Sequence, residues 1–451
     1  MARLFGTDGV RGIAGSELTP EMAINIGRSA ATVLTKTTKH RPTVLIGKDT
    51  RISGDMLESA LSAGLCSVGA DVRLCGVVPT PAVAYLVKKY GCDAGVVISA
   101  SHNPMEFNGI KIFDGEGYKL ADEIENEIEA LILDRPDELP VATGADMGRV
   151  HRVDTAVRDY VDHIKTACEA DLSGLKVVFD CANGAACDTA PLLFKELGVQ
   201  ASFIGDQPDG TNINKNCGST HIKELADYVK THNFDCGIAF DGDADRCLAV
   251  DEKGEEIDGD KIIAILATRM KNAGKLKNDT AVATVMSNLG FMKHMEKRGI
   301  KISTTAVGDR YVLEEMRAKG HCLGGEQSGH VILSDFATTG DGQLTALALM
   351  NNFAKESEKK VSDFNGCYSK FPQVLINLKT TLEGKAKYKT DEYIEGFIEA
   401  QQQQLMGKGR VLVRVSGTEP LIRVMVEGED LQQINAVAQS IADKISSRLG
   451  Q

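Results

Sequence analysis

Nothing in this 451-residue chain approaches the ~18 uninterrupted apolar residues of a membrane span. The opening residues, Met1-Ala2-Arg3-Leu4-Phe5-Gly6, lack the apolar core of a secretory signal. No C-x-x-C pair occurs among the eleven cysteines, and several, including Cys66, Cys236 and Cys247, fall in apolar runs. That usage argues against a disulfide framework or a zinc site and predicts reduced thiols packed inside a cytoplasmic protein. Positive charge is not in excess either. A net charge of −12 argues against nucleic acid or an anionic membrane as the main partner, since both call for a basic face. An anionic substrate would have to be held by local arginines and lysines. Neither a Walker-A loop nor a G-x-G-x-x-G fingerprint occurs, so nucleotide binding has no support.

What is present is the composition of a soluble globular protein, 43% hydrophobic and 25% charged, in a chain long enough for three or four domains. One unit recurs with variations: an apolar strand, a glycine-rich polar loop and an amphipathic helix. Residues 43–47 read as a strand, followed by Lys48-Asp49-Thr50-Arg51 and a helix over 54–68. Residues 176–179 and 281–285 read as further strands, each leading through a polar loop into a helix. Strands alternating with helices predict doubly wound parallel sheets. Pro79-Thr80-Pro81 reads as a helix start, with Thr80 as the cap and Pro81 in the first turn. After Phe371-Pro372 the pattern shifts to strand, helix, two strands and a final helix, and Gln401 to Gln404 is expected on an exposed helix face. The expected fold class is therefore α/β: three doubly wound α/β domains, over 1–150, 151–252 and 253–368, and a smaller C-terminal α+β domain over 369–451.

Four segments carry chemistry. Val96-Val97-Ile98 delivers Ser99-Ala100-Ser101-His102-Asn103-Pro104, a candidate nucleophilic serine beside a histidine at the carboxyl end of a strand, where open α/β sheets bind ligands. An ordinary polar turn closed by Asn-Pro is the plain alternative. A second strand ends in Phe240-Asp241-Gly242-Asp243-Ala244-Asp245-Arg246. Three carboxylates at alternate positions on an apolar strand tip are tolerable if they share a cation, and hard oxygen ligands suit Mg²⁺ or Mn²⁺. The spacing fills positions 1, 3 and 5 of a calcium EF-hand, but Arg246 occupies the position where that loop needs glycine. A phosphatase using Asp241 as an aspartyl nucleophile stays open as the second enzymatic reading.

The third segment, Gly324-Gly325-Glu326-Gln327-Ser328-Gly329-His330, gathers a carboxylate, an amide, a hydroxyl and an imidazole, a set suited to a polyhydroxylated ligand. The fourth, Arg414-Val415-Ser416-Gly417-Thr418-Glu419-Pro420 with Arg423, has the composition of a phosphate cradle. A hairpin with incidental polar residues is the plain alternative for each. Arg11, in the glycine-rich loop that opens the chain, and Lys111, just beyond the serine loop, are candidate cations for phosphoryl chemistry or ordinary surface charges. Together the four segments describe phosphoryl transfer on a sugar phosphate. A non-catalytic module that binds metal and sugar phosphate is the reading from outside enzymology.

Read in order, the motifs resemble the α-D-phosphohexomutase superfamily, nearly end to end: F-G-T-D-G-V-R-G at Phe5, S-A-S-H-N-P at Ser99, D-G-D-A-D-R at Asp241, G-D-R-Y at Gly308, G-E-Q-S-G-H at Gly325 and R-V-S-G-T-E-P at Arg414. The third and fourth of these bring Arg246, Asp309 and Arg310 in as further site candidates. Gln327, where glucose- and mannose-directed members typically show methionine, together with the opening motif and Thr338-Thr339-Gly340-Asp341-Gly342, looks like the glucosamine-directed branch; a phosphoglucomutase or phosphomannomutase is the neighbouring alternative. The resemblance implies four domains around a central cleft and a phosphoryl group carried on Ser101. It implies one Mg²⁺ held by Asp241, Asp243, Asp245 and the phosphorylated Ser101. The ring would be gripped by Glu326, Gln327 and Ser328, and the phosphate by Arg414, Ser416, Gly417, Thr418 and Arg423. Acid–base work is expected of some of Arg11, His102, Lys111 and His330. The implied reaction interconverts glucosamine 6-phosphate and glucosamine 1-phosphate through a hexosamine 1,6-bisphosphate, which also acts as activator, and feeds cell-wall precursor synthesis. A second copy of the chain and an activating kinase complete the partners considered.

Overall fold

The computed structural model of the protein describes residues 4–6, 8–36, 38–405, 407–416 and 420–449. The apolar runs become strands in four sheets. In the first lie β1 (Val10–Ile13), β2 (Thr43–Lys48), β3 (Asp71–Val77), β4 (Ala94–Ile98), β5 (Phe107–Asp114) and β6 (Val150–Arg152), in the order β1-β5-β4-β2-β3-β6. The second holds β7 (Lys176–Asp180), β8 (Gln200–Ile204), β9 (Cys236–Phe240), β10 (Cys247–Asp251) and β11 (Glu256–Ile257), in the order β11-β10-β9-β7-β8. The third contains β12 (Thr280–Thr284), β13 (Lys301–Thr305), β14 (Leu323–Gly325) and β15 (Val331–Leu333), ordered β13-β12-β14-β15. These three sheets belong to one compact unit, Met1–Met286 with Arg298–Cys367.

The strands pair in parallel at the centre of each sheet, as the alternation of strand and helix requires: β2 with β3 and β4, β7 with β8 and β9, β12 with β13 and β14. Residues of β4, β9, β10 and β12 are buried throughout, the burial expected of sheets covered by helices. The sheets are nevertheless mixed. β5 returns antiparallel to β4, β10 to β9, and β15 to β14. A parallel crossover needs a dozen or more residues, and the serine, aspartate and sugar-loop motifs are too short for one. Each motif is therefore a hairpin connection at the same place in one of three similar sheets.

The second unit, Ser287–Lys297 with Tyr368–Gln451, is not contiguous in sequence. Its sheet has β16 (Gln373–Lys379), β17 (Gly409–Val415) and β18 (Leu421–Gly428), in the order β16-β18-β17. Ile434, Val437, Ile441 and Ile445, one face of the helix Leu431–Leu449, pack with Ile422, Val424 and Val426 of β18. Ser287–Lys297 joins through Asn288, whose Nδ2 donates to Glu427 Oε1 (3.0 Å) and to the Phe371 carbonyl (3.1 Å).

Local expectations are corrected at three points. The helix after Pro79 begins at Thr80, whose side chain does not cap it; the hydroxyl is drawn instead to a carboxylate described below. Two helices, Leu382–Lys389 and Glu392–Gln404, stand where one was expected, because Asp391 starts a new helix by accepting the Tyr393 and Ile394 N–H groups. Within Gln401 to Gln404, Gln403 and Gln404 are exposed, whereas Gln402 is half-buried and bonds the backbone of Gly409 and Val411. Among the described residues no helix is long and apolar enough to cross a membrane.

Candidate active site

Ser101 stands in the β4–β5 connection with φ +51°, a left-handed conformation costing a non-glycine residue ~1–2 kcal/mol. Its N–H donates to Ser99 Oγ (2.9 Å), which donates to Asp49 Oδ2 (2.6 Å), and Arg51 Nε donates to the same Asp49 oxygen (2.9 Å). All four residues are buried. Ser99 is thus a support of the loop. The Ser101 hydroxyl donates to Asp241 Oδ2 at 2.6 Å, and His102 Nδ1 lies 3.3 Å from Oγ. Burial first, then the charges of Arg246 and Arg11, push the His102 pKa down to about 4, so its imidazole is neutral near pH 7.

Asp241, Asp243 and Asp245 are buried in the β9–β10 connection, with carboxylate oxygens within 4.8 Å of one another. Gly242 makes the approach to the serine loop feasible, because an added Cβ would stand 2.5 Å from the Ser101 carbonyl oxygen. Three buried carboxylates repel, and each meets that repulsion differently. Burial pushes the Asp241 carboxyl well above the usual range, and Asp245 and Asp243 push it further. Asp243 moves the other way: burial is outweighed by the Lys111 ammonium at 2.8 Å and the Thr80 hydroxyl at 2.7 Å. Asp243 Oδ1 and Asp245 Oδ1 are buried with no hydrogen-bond partner. Two orphaned hard oxygens beside a carboxyl forced upward fit one divalent cation.

Lys111 is itself buried, with Asp8 Oδ2 at 3.1 Å and Asp245 Oδ2 at 3.8 Å. Asp8 also pairs with Arg11 and with Lys119. Lys119 pairs in addition with Asp309, and Asp309 Oδ2 lies 3.5 Å from His330 Nε2. His330 Nδ1 is 3.5 Å from Asp245 Oδ2, which closes a ring of acids and bases around the cluster. Arg11 Nε is buried without a partner. Arg246 Nε, 4.0 Å from both Asp241 Oδ2 and Asp245 Oδ1, is likewise unpartnered. Arg310 is not part of this group; it pairs with Asp122 (2.5 Å) and Glu314 (2.9 Å).

The β14–β15 connection brings Glu326, Gln327 and Ser328 together. Glu326 Oε1 accepts the Gly308 N–H (3.0 Å), and burial raises its pKa. Ser328 Oγ is buried with no partner, as a hydroxyl waiting for a ligand would be. In the second unit Arg414 and Arg423 face each other as cross-strand partners on β17 and β18. Like charges in that register are destabilising, and an anion between them would remove the penalty. Burial and the Arg423 charge lower the Arg414 pKa. Ser416 closes the strand by donating its N–H to the Leu421 carbonyl (2.9 Å). Gly417 and Thr418 lie outside the described residues.

Four family models cover the chain in sequence. They are the phosphoglucomutase/phosphomannomutase alpha/beta/alpha domains I (residues 2–138), II (158–254) and III (258–371), and the C-terminal domain (375–444). The chain belongs to the phosphoglucomutase/phosphomannomutase family. It is accordingly a phosphohexomutase, an isomerase that moves a phosphoryl group within its substrate. Among its relatives is the phosphoglucosamine mutase of Thermoanaerobacter sp. strain X514, 54% identical over 449 residues and covering 100% of both chains. The phosphoglucosamine mutase of Caldanaerobacter subterraneus subsp. tengcongensis is 55% identical over the same length, again with 100% of both chains covered. Among solved structures, a family member from Burkholderia thailandensis shares the fold with a TM-score of 0.83, at 23% identity over 99% of this chain and 97% of its own.

Sequence reasoning missed Asp49, Arg51, Thr80, Lys119 and Asn214, all of which contact the motif loops. Asp49 and Arg51 had a visible signal, an acid and a base in the polar loop that ends β2. Lys385, whose Nζ donates to the Ser416 carbonyl (2.8 Å), adds a third cation to the arginine hairpin. Asn214 had no signal, since it sits in a long irregular loop.

Proposed function

We propose that the protein interconverts glucosamine 6-phosphate and glucosamine 1-phosphate, using a phosphoryl group stored on Ser101. The observation that carries the reading is the 2.6 Å bond from the Ser101 hydroxyl to Asp241, inside a carboxylate cluster with two orphaned oxygens. The hexosamine preference is supported by the relatives at 54% and 55% identity, which are phosphoglucosamine mutases. Asp241, Asp243 and Asp245 would hold one Mg²⁺. That ion would act as a Lewis acid, offsetting negative charge on the transferring phosphoryl group.

The chain's own residues supply the rest. Lys111 and Arg11 bring positive charge to the acidic cluster, and His102, neutral near pH 7, is a candidate base for the sugar hydroxyl proton. In the first half-reaction the bond from phosphorus to Ser101 Oγ breaks and a bond to the sugar O1 forms, while the O1 proton passes to the base. The product is the 1,6-bisphosphate. After the sugar turns over, Ser101 Oγ takes the phosphoryl group from O6, and a proton returns to O6. Either phosphate end would be accepted by the Arg414 and Arg423 hairpin, with Ser416, Gly417 and Thr418, while Glu326 to Ser328 grip the ring hydroxyls. Under this reading the four stretches 1–150, 151–252, 253–368 and 369–451 each contribute one motif loop. The eleven free cysteines support a reducing, cytoplasmic setting.

A phosphatase with Asp241 as nucleophile is less well supported, because both Asp241 oxygens already accept bonds, from Ser101 Oγ and from the Arg246 N–H (3.1 Å). The test is a coupled assay with glucosamine 6-phosphate and a trace of hexosamine 1,6-bisphosphate. Formation of the 1-phosphate without free phosphate is expected. Net phosphate release, or preference for glucose or mannose phosphates, would overturn the assignment.

A further inference from the structure

Two side chains from distant parts of the chain grip the same two carbonyl oxygens of the serine loop. Arg51 Nη2 donates to the Ser101 carbonyl at 3.0 Å and to the Asn103 carbonyl at 2.8 Å. Asn214 Nδ2 donates to the same pair, at 2.9 Å and 3.1 Å. The rest of the Arg51 guanidinium is engaged as well: Nε with Asp49, and Nη1 with the Pro104 and Phe107 carbonyls. Asn214 is itself left-handed, φ +58°, and its N–H donates to the Ala182 carbonyl (2.9 Å), so its amide is fixed from behind.

Neither side chain touches Ser101 Oγ or a carboxylate of the metal cluster through these bonds. They act on the backbone. The left-handed turn at Ser101 sets two carbonyl dipoles on one side, where they repel unless donors lie between them. Gly242 of the aspartate loop meets the same point, since a Cβ there would lie 2.5 Å from the Ser101 carbonyl oxygen and 2.7 Å from Asn214 Nδ2. Serine loop, aspartate loop and Asn214 are thus in mutual register.

We infer that Arg51 and Asn214 are positioning residues for phosphoryl transfer: they lock Ser101 in its left-handed conformation and so aim Oγ at the aspartate cluster. The inference rests on the mutase reading above and goes beyond it. Because the clamp touches no sugar or phosphate subsite, its loss should slow the chemical step and leave substrate binding in place. A displacement near 1 Å at a reacting atom costs ~100-fold in rate.

The test compares Asn214→Gly with Asn214→Ala in the full-length protein. Glycine keeps the left-handed backbone and removes only the amide, so a role confined to backbone support would leave Asn214→Gly at wild-type rate. The expected result is a kcat lower by ~10- to 100-fold in both variants. KM for glucosamine 6-phosphate should stay close to wild type, and the ³¹P resonance of the phosphoserine should shift. Arg51→Lys, which keeps a buried cation beside Asp49 but loses the planar fork, must show the same split. Wild-type kcat in Asn214→Gly, or a parallel loss of kcat, KM and melting temperature in both Asn214→Gly and Arg51→Lys, overturns the inference. A wild-type protein without phosphoserine or turnover of any hexose phosphate would instead defeat the proposed function and the clamp with it. An active wild type with unchanged variants defeats the clamp alone.

Discussion

Replacing Asp241 by Asn in protein stripped of divalent cations is expected to raise its stability, although the residue is fully buried. The carboxylate oxygens of Asp241, Asp243 and Asp245 lie within 4.8 Å of one another. At an effective dielectric near 20, each pair of charges at that separation costs about 3 kcal/mol. Lys111 offsets the share borne by Asp243, and Arg246 offsets part of the rest at 4.0 Å. The upward shift of the Asp241 carboxyl limits the remainder, so the net relief from Asn is ~1–3 kcal/mol. Asn also preserves the contacts, accepting the Arg246 N–H and meeting the Ser101 hydroxyl. The sign with pH follows. The Asp241 pKa is raised in the folded state, so the folded form binds the extra proton. In chelator, stability should fall as pH rises from the ordinary aspartate range up to the raised pKa, and level off beyond it. Magnesium reverses the situation by favouring the carboxylate. Thermal melts in EDTA and in saturating Mg²⁺ should show a saturable gain for wild type and little gain for Asp241→Asn. A wild type indifferent to magnesium, with an Asn variant less stable than wild type in EDTA, would refute the reasoning.

Thr80→Val removes the hydroxyl that orients Asp243 and should weaken Mn²⁺ binding, read by titration calorimetry, by ~10- to 100-fold; unchanged affinity would make that contact incidental. Arg414→Ala should raise KM for the phosphosugar by ~10- to 100-fold, the worth of a charged hydrogen bond, while relieving the repulsion with Arg423 and sparing the fold. An unchanged KM would return Arg414 to the surface. Ser99→Ala leaves the buried Ser101 N–H unpaired and should cost ~1–3 kcal/mol in denaturant unfolding, yet the protein should still carry phosphate on Ser101. Loss of all bound phosphate in Ser99→Ala together with its retention in Ser101→Ala would make Ser99 the acceptor.

The motif loops were legible because each pairs a buried apolar strand with residue types that have few structural uses together. Val96-Val97-Ile98 before a serine and histidine, and Cys236 to Phe240 before three aspartates, identify strand tips bearing polar chemistry. The alternation of strand and helix was enough for the parallel centre of each sheet. What followed each motif was less visible. Leu248-Ala249-Val250 reads as a strand, but that it returns antiparallel to β9 depends on pairing that periodicity does not encode. The supports were hidden for a related reason. Thr80 looks like a helix cap until Asp243, 163 residues away, claims its hydroxyl. Asn214 meets Ser101 across 113 residues of sequence, from a loop with no pattern of its own. Side chains that act through long-range hydrogen bonds to backbone leave no periodicity and no local motif, whereas clustered carboxylates leave both.

Where the protein stores phosphate separates a serine-based mutase from an aspartyl phosphatase most directly. Phosphopeptide mapping of the purified protein should place acid-stable, hydroxylamine-resistant phosphate on Ser101, as expected of a serine ester and not of an acyl phosphate. Ser101→Ala should lack that phosphate and nearly all mutase activity. A labile, hydroxylamine-sensitive phosphate on Asp241, or a fully active Ser101→Ala protein, would contradict the serine-based mutase.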